Sequence, residues 1–372
     1  MINEGKTMEL SRRGLLRTGG TVAAGLALTG LTGRAHAAAQ ALPATPSFDL
    51  ADGSDALFMH KTSWCPTVMQ SAGYDHLNKH WYVAQVMYNP GDGVSHATRL
   101  AQGDIAITKL SADGSTKLGR MYLRGFGHGA QFGVEPTAAG SAPYLWIEYD
   151  SQLNAAGTTG FGTKVCRIRY LGPPTAEPPR SFHWDDAQDR ADMDFRDRTP
   201  DPLQLPGTGS TLSSPRAVVD MQHRRLLVRF GRNGQTQAAV WDLAKAVAAP
   251  LGAPLLLRQN LPAPVYDSQG FCLYGSWMYM LEGESYKSGG PADTTDVGTT
   301  YITKVDLNSA YSERALTRAL KSLVFREPEG MNIMLVPDPA AAGAYLPRLS
   351  FGFASGDEGD RRVNIAYKDA LV

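Results

Sequence analysis

Residues 125–150, GFGHGAQFGVEPTAAGSAPYLWIEYD, form the unit from which the fold of this chain can be predicted. Apolar and aromatic residues dominate two short segments, Gly129–Glu135 and Tyr144–Asp150, and a run of Pro, Ala, Gly and Ser separates them. This pattern is typical of two β-strands joined by a turn. His128 stands between two glycines, which leave its imidazole uncrowded and its backbone accessible. Because the unit recurs four more times along the chain, we predict a repeat architecture.

Five strand pairs align along the sequence, and a third strand follows each pair. The first strands are predicted at Met69–Asp75, Gly127–Glu135, Pro215–Met221, Ser268–Tyr274 and Pro328–Met334. The second strands are predicted at His80–Val86, Tyr144–Asp150, Arg225–Gly231, Trp277–Gly283 and Arg348–Ala354. The third strands are predicted at Asp104–Leu110, Lys164–Tyr170, Gln237–Leu243, Tyr301–Leu307 and Arg362–Lys368. A fourth strand is clear at Arg120–Arg124, Leu255–Gln259 and Ser322–Arg326, and the second unit's is predicted near Arg180–Trp184.

Five units of four antiparallel strands indicate an all-β fold, a five-bladed β-propeller. The last unit has only three strands of its own, and a spare strand, Ala56–Thr62, precedes the first unit. We expect this strand to pair beside Arg362–Lys368 and close the ring, because closure protects sheet edges. A β-sandwich is the alternative, but regular groups of four strands separated by turn residues, with a spare N-terminal strand, are not expected of a sandwich.

The first 37 residues are predicted to be an export signal. Arg12 and Arg13 form a twin-arginine pattern, an apolar run covers Thr21–Leu31, and the small residues at 35–37, AHA, fit a cleavage site. A transmembrane anchor is the alternative, but the run is too short and too rich in glycine for one. We therefore expect a secreted protein.

The rest of the chain is predicted to consist of a linker, residues 38–53, and the propeller, residues 54–372. A segment rich in Pro, Asp and Arg, residues 173–213, is inserted between the second and third units, as a lid, a partner surface or a disordered stretch. Loss of residues 1–37 removes five of 36 basic and two of 36 acidic residues and leaves a net charge of −3. That charge gives no support for nucleic-acid binding. We expect a monomer without a membrane span once the signal is removed.

The three cysteines, Cys65, Cys166 and Cys272, lie in or beside apolar strands, so we interpret them as buried hydrophobic residues. No CxxC or HExxH pattern occurs, and zinc chemistry therefore has no local signal. The sequence predicts no cofactor and leaves a divalent cation such as calcium in the channel as an open alternative.

The candidate site follows from propeller geometry, because the first strand of each blade lines the central channel and its start faces the mouth. Alignment of the five first strands places a large polar residue before a small one in every unit. These pairs are Gln70-Ser71, His128-Gly129, Arg216-Ala217, Gln269-Gly270 and Glu329-Gly330. We call the five polar residues the mouth ring. Polar residues at these positions could simply contact water in the channel. The combination of His, Arg and Glu favours a functional site, because these residues supply a base, an anion-binding group and a carboxylate.

Further polar residues occur where second strands enter the loops on the same face. The candidates are Asp150, Glu282 and Glu284, as rim contacts to a hydroxylated or cation-bridged substrate or as solvated loop residues.

Four segments resemble a known family: MQSAGYD (69–75), GDIAITKL (103–110), MYLRGFGHGAQFGVEP (121–136) and YLWIEYDS (144–151). They are similar to the propeller shared by phage receptor-binding proteins and secreted proteins known as teichoic acid biosynthesis protein C. The resemblance implies a five-bladed propeller that meets cell-envelope glycopolymers, including wall teichoic acid. The GHG-x-Q-x-G-x-E core, which contains His128 and Gln131, is its distinctive part. The export signal and the insertion depart from the phage members and favour an extracellular protein that acts on a polymer.

Two functional hypotheses follow. In the first, the protein cleaves an anionic glycopolymer, either a teichoic acid phosphodiester or a uronate polysaccharide. His128 would be the general acid or base, Arg216 would bind the phosphate or carboxylate, and Glu329 would be a second acid or base or would set the pKa of His128. Substrate hydroxyls would be bound by Gln70, Gln269 and Gln131.

In the second hypothesis, a lectin-like module binds the same polymer without chemistry. Five equivalent sites would repeat the same residues in each blade, whereas the mouth ring differs between blades, which favours one central site. A paired-carboxylate glycosidase would need Asp150 or Glu282 as its second carboxylate.

Overall fold

Strands dominate the computed structural model, which describes residues 41–88, 91–205, 212–252, 254–286 and 298–372. The first blade contains β2 (Met69–Asp75), β3 (His80–Val86), β4 (Ile105–Ser111) and β5 (Lys117–Arg124), and β1 (Asp55–Lys61) precedes it. The second blade contains β6 (Gly133–Glu135), β7 (Tyr144–Leu153), β8 (Gly160–Arg169) and β10 (Arg196–Asp197), and β9 (Arg180–His183) lies between the last two in sequence.

The remaining strands build three further blades. The third has β11 (Ser213–Asp220), β12 (Arg225–Arg232), β13 (Gln235–Asp242) and β14 (Leu257–Asn260). The fourth has β15 (Ser268–Tyr274), β16 (Trp277–Glu282), β17 (Tyr301–Asp306) and β18 (Ser312–Leu316), and the fifth begins with β19 (Glu327–Pro337), β20 (Tyr345–Ser355) and β21 (Arg362–Lys368). Three short helices are α1 (His96–Gln102), α2 (Ala187–Asp192) and α3 (Leu243–Ala248).

The five sheets confirm the predicted all-β, five-bladed propeller. Each contains a set of four antiparallel strands, from the first strand at the axis to the fourth at the periphery, and the first sheet has one additional strand. The fifth sheet has the order β19-β20-β21-β1, so the N-terminal strand supplies its outer edge. Asp55 pairs with Tyr367 and Lys61 with Val363, which confirms the predicted closure.

The outer strand of the second blade differs from the prediction. Arg180–His183 does not join that blade but adds to β5 in parallel, as a fifth strand of the first sheet. Its place in the second blade is taken by β10, which pairs with β8 over two residues only. The described part of the insertion, residues 173–205, is therefore structured, and the buried side chains of Phe182 and Met193 fix it to the core between the two blades.

Two further strand assignments are corrected. The outer strand of the fourth blade is β18, whereas Ser322–Arg326 forms turns before β19. The first strand of the second blade begins at Gly133, because Gly127 and Gly129 have φ values of +139° and +76°, outside the strand region.

The predicted linker is part of the folded propeller over its described residues, 41–53. Leu42, Phe48 and Leu50 are buried, and the backbone N–H of Phe48 donates to the hydroxyl of Tyr279 at 2.8 Å. The predicted signal peptide, residues 1–37, lies outside the described residues.

Cys65, Cys166 and Cys272 are buried free thiols, as expected. No helix among the described residues is long and apolar enough to cross a membrane.

Candidate functional site

The small residues next to the mouth ring meet around the propeller axis. The hydroxyl of Ser71 donates to the carbonyl of Gly129 at 2.5 Å. A Cβ added at Gly330 would lie 2.6 Å from the Cα of Ser71, and one added at Gly270 would lie 2.7 Å from the Cα of Gly330. Only residues without a Cβ at these two positions allow the backbones to approach so closely. The polar residues that precede them therefore start from one level at one end of the propeller.

Bulges, rather than regular strand alternation, orient these polar residues. The pairing of first and second strands shifts register between Met69 and Ser71, between Ser268 and Gly270, and between Glu329 and Met331. Gln70 and Gln269 are thus extra residues at bulges, and the same shift occurs before Arg216 in the third blade. A bulge re-aims a side chain and is common next to functional sites. We predicted that the alternation of side chains along each strand alone determines the orientation of the mouth-ring residues, and the bulges correct this prediction.

Two members of the mouth ring, His128 and Arg216, come together on one aromatic ring. The imidazole of His128 lies 5.0 Å from the ring of Phe161, centroid to centroid. The guanidinium carbon of Arg216 lies 5.5 Å from the centroid of the same ring. Blades two and three therefore place a histidine and an arginine side by side, as the mouth ring predicts.

A buried carboxylate that the sequence analysis missed, Glu148, holds the loop that carries His128. One of its oxygens accepts hydrogen bonds from the backbone N–H groups of His128 (3.1 Å) and Gly129 (2.7 Å). The other accepts from Gly162 at 2.7 Å and lies 4.0 Å from Nε of Arg216. The one signal in the sequence is an ionisable residue at the centre of the apolar strand β7.

The environment of His128 keeps its imidazole neutral. Burial, and next the positive charge of Arg216, lower the pKa of His128 to about 4. Its Nδ1 atom is buried and has no hydrogen-bond partner among the described residues. At neutral pH this side chain can accept a proton but cannot donate one as an imidazolium.

The pKa of Glu329 is shifted in the opposite direction to that of His128. It is 4% exposed, and burial raises its pKa well above the usual value, an effect that Glu327 reinforces and Arg361 opposes. Such an environment favours the protonated carboxyl group, which can donate a proton. The mouth ring therefore contains a histidine whose pKa is lowered and a carboxyl group whose pKa is raised.

Gln131, predicted to bind substrate, instead connects three blades. Its Oε1 accepts from the backbone N–H groups of Phe271 (3.1 Å) and Met331 (3.3 Å), and its Nε2 donates to the carbonyl of Met331 (2.9 Å). The side chain is 1% exposed, so no part of its amide remains for a ligand. The substrate-binding assignment is corrected to a structural one.

Glu282 is likewise occupied within the protein. One oxygen forms an ion pair with Arg314, and the other accepts from the backbone N–H groups of Val265 (2.6 Å) and Tyr266 (3.1 Å). Its predicted rim contact to substrate is corrected for the same reason. Asp150 does lie at the rim, partly exposed, with a φ of +60° and an ion pair to Lys164 at 3.0 Å.

The two glutamines of the mouth ring differ. Gln70 is 8% exposed. Gln269 is half-buried, and its Nε2 donates to the carbonyl of Gly283 at 3.0 Å, which leaves its oxygen available.

A cavity of about 530 Å³ lies beside the loop that leads to His128. Gly125 and Trp184 line it, and Trp184 comes from the insertion. Arg99 and Arg124 also line it and form ion pairs with Asp92 and Asp104. The insertion thus shapes the rim of the face that carries the mouth ring.

In the described part of the chain, no group of three or more His, Cys, Asp or Glu side chains is placed to hold a metal ion.

No protein-family model and no curated protein matches the sequence. Among solved structures, the chain is similar to the tail fiber of Staphylococcus aureus phage P68, with a TM-score of 0.54 and 18% identity over 87% of this chain and 53% of the fiber. The chain spans about half the length of that tail fiber. This likeness supports the fold that the resemblance to phage propellers implies, while the resemblance to teichoic acid biosynthesis protein C stays a prediction.

Weaker similarities extend to two glycosidases. An exo-β-1,3-galactanase from Phanerochaete chrysosporium has a TM-score of 0.43 and 10% identity over 83% of this chain and 64% of that chain. An α-L-arabinofuranosidase from Lactobacillus brevis has a TM-score of 0.41 and 11% identity over 82% of this chain and 92% of that chain.

Proposed function

We propose that this chain is an enzyme that cleaves an anionic glycopolymer at the mouth of the propeller. The observation that carries the proposal is the placement of His128 and Arg216 on the ring of Phe161, together with opposite pKa shifts in the mouth ring, where burial and Arg216 lower the pKa of His128 and burial raises that of Glu329. Two groups whose environments push their pKa values apart are the usual sign of an acid and base pair.

The opposite pKa shifts suggest the role of each residue in the proposed reaction. In hydrolysis, His128 takes a proton from the attacking water, Glu329 protonates the departing oxygen, and the bond between that oxygen and the sugar carbon or phosphorus breaks. In elimination from a uronate, His128 instead takes the proton α to the carboxylate, and the C4–oxygen bond breaks as a double bond forms. Arg216 binds the phosphate or carboxylate in both cases.

Residues 1–37 are proposed to direct export by the twin-arginine route, which would place this activity outside the cytoplasm. The substrate would then be a polymer of the cell envelope or its surroundings. The paired arginines Arg12 and Arg13 support this step of the proposal.

The second candidate is a lectin-like module that binds the same polymer without cleaving it. One observation favours it: Glu329 is 4% exposed, so a scissile bond can reach it only if the mouth opens.

Incubation of the purified mature protein with a panel of teichoic acids and uronic-acid polysaccharides separates these outcomes. Released phosphomonoester indicates phosphodiester hydrolysis, reducing ends without ultraviolet absorbance indicate glycoside hydrolysis, and absorbance of an unsaturated sugar indicates elimination. We expect His128→Ala to lower the rate by about 10²–10⁴. His76→Ala, in the hairpin turn at the opposite end of the first blade, is the matched control and keeps full activity. Polymer binding without any product would favour the lectin.

A further inference from the structure

We propose that Arg216 and Arg229 together form a two-arginine site for an oxyanion, the carboxylate or phosphate of the polymer, with Arg229 as its second ligand. This inference rests on the proposed function for the polymer, but the anion site itself can be tested separately.

The two arginines face each other across neighbouring strands. Arg216 on β11 is the direct register partner of Arg229 on β12. Side chains at paired positions of an antiparallel ladder lie on the same face, and like charges in that arrangement are destabilising. Burial, and next the charge of Arg216, lower the pKa of Arg229 to about 10, so both side chains remain cationic at neutral pH.

The protein compensates this repulsion only in part. The Nε atoms of both arginines are buried and have no hydrogen-bond partner among the described residues. Glu148 is the nearby carboxylate, but it lies 4.0 Å from Nε of Arg216 and already accepts three backbone hydrogen bonds. Across the described side chains, no carboxylate lies within ion-pair distance of Arg229. Two partly buried guanidinium groups whose buried Nε–H donors lack a partner are costly unless an anion joins them.

Both guanidinium groups lie near aromatic rings. The guanidinium carbon of Arg216 lies 5.5 Å from the ring centroid of Phe161, and that of Arg229 lies 5.9 Å from the ring centroid of Phe271. A contact of this kind does not use the N–H fork of a guanidinium, which matches a carboxylate or phosphate.

A small cavity provides room beside Arg229. Its volume is about 100 Å³, the space of roughly three water molecules, which suits an acidic group rather than a sugar ring. Glu282 also lines this cavity, but its charge is matched by Arg314 and by two backbone N–H groups. Arg229 lines this cavity, whereas Arg216 does not.

The test uses the mature protein and three probes: inorganic phosphate, glucuronate and neutral glucose. Calorimetry should detect binding of phosphate or of glucuronate but not of glucose. Binding of phosphate would indicate a phosphodiester polymer, and binding of glucuronate would indicate a uronate polymer. We expect Arg229→Met to weaken anion binding at least about tenfold and Arg229→Lys to retain part of the wild-type affinity. The control is Arg224→Met, an exposed arginine in the turn of the same hairpin, which should change nothing.

Thermal unfolding separates a binding role from a structural one. If Arg229 serves an anion, Arg229→Met removes a buried repulsion, so the Tm without anion rises and the increase in Tm on adding phosphate or glucuronate disappears. A lower Tm with unchanged anion affinity, or a wild-type protein that binds neither anion, would overturn the inference.

The two proposals can fail independently. Anion binding that depends on Arg229, without cleavage of any polymer, leaves this inference standing and removes the enzymatic one. Polymer cleavage that Arg229→Met leaves unchanged would support the enzymatic proposal and remove this inference.

Discussion

Replacing Gln131 with methionine should destabilise the whole propeller, although the residue was predicted to bind substrate. Methionine has a similar length but cannot hydrogen-bond as an amide, so three buried backbone groups lose their partner: the N–H of Phe271 and both the N–H and the carbonyl of Met331. Each unsatisfied buried group costs roughly 1–3 kcal/mol. The expected loss in free energy of unfolding is therefore about 3 kcal/mol at the lower end of that range.

Urea denaturation followed by tryptophan fluorescence and by circular dichroism measures this loss. We expect the midpoint to fall while the slope of free energy against urea stays constant, because the surface exposed on unfolding does not change. Gln152→Met is the matched control, since Gln152 is exposed on β7, and it should stay within about 0.5 kcal/mol of wild type. If the two variants have equal stability, Gln131 does not connect the blades.

Three further predictions concern the site, the axis and export. Activity, measured as kcat/KM, should rise as pH increases through about 4, where His128 loses its proton, and fall above the raised pKa of Glu329, where the acid ionises; a low-pH limb at the ordinary histidine pKa would contradict these assignments. Gly270→Ala should lower stability by about 1–3 kcal/mol in the same denaturation experiment, because its Cβ would lie 2.7 Å from a backbone atom, and wild-type stability would show that the inner strands can separate at no cost. Lysines in place of Arg12 and Arg13 should keep the protein inside the cell on fractionation, and normal secretion of that variant would show that the pair is not the signal.

Most of the blade architecture could be predicted because each strand is an apolar segment between turn residues. His80–Val86, Ser268–Tyr274 and Arg362–Lys368 have the predicted bounds. The outer strand of the second blade could not be found in this way, since Arg196–Asp197 is only two residues long and exposed. Strands of that length have no periodicity, and their position depends on the buried anchors of the insertion.

The sequence locates the mouth-ring residues at the starts of the first strands but does not show their orientation or their partners. Alternation along a strand cannot reveal a bulge, so the orientation of Gln70 and Gln269 was inaccessible. The partners of a buried polar residue also come from distant parts of the chain, as for Glu148 with Arg216 and Gln131 with Met331. A sequence shows that such a residue is polar, but only the fold shows whether its hydrogen bonds are already taken.

The close approach of the inner strands has a consequence for how a polymer would be held. Gly270 and Gly330 bring two backbones into contact at the axis, and Gln131 connects the same blades just below them. A polysaccharide chain cannot thread between strands so close together, so it must lie across the face of the propeller with one acidic group directed inwards. Its continuation would then cross the cavity lined by Gly125 and Trp184, where an indole offers the apolar face on which sugars stack. In the proposed function, the insertion would extend the central site along one side.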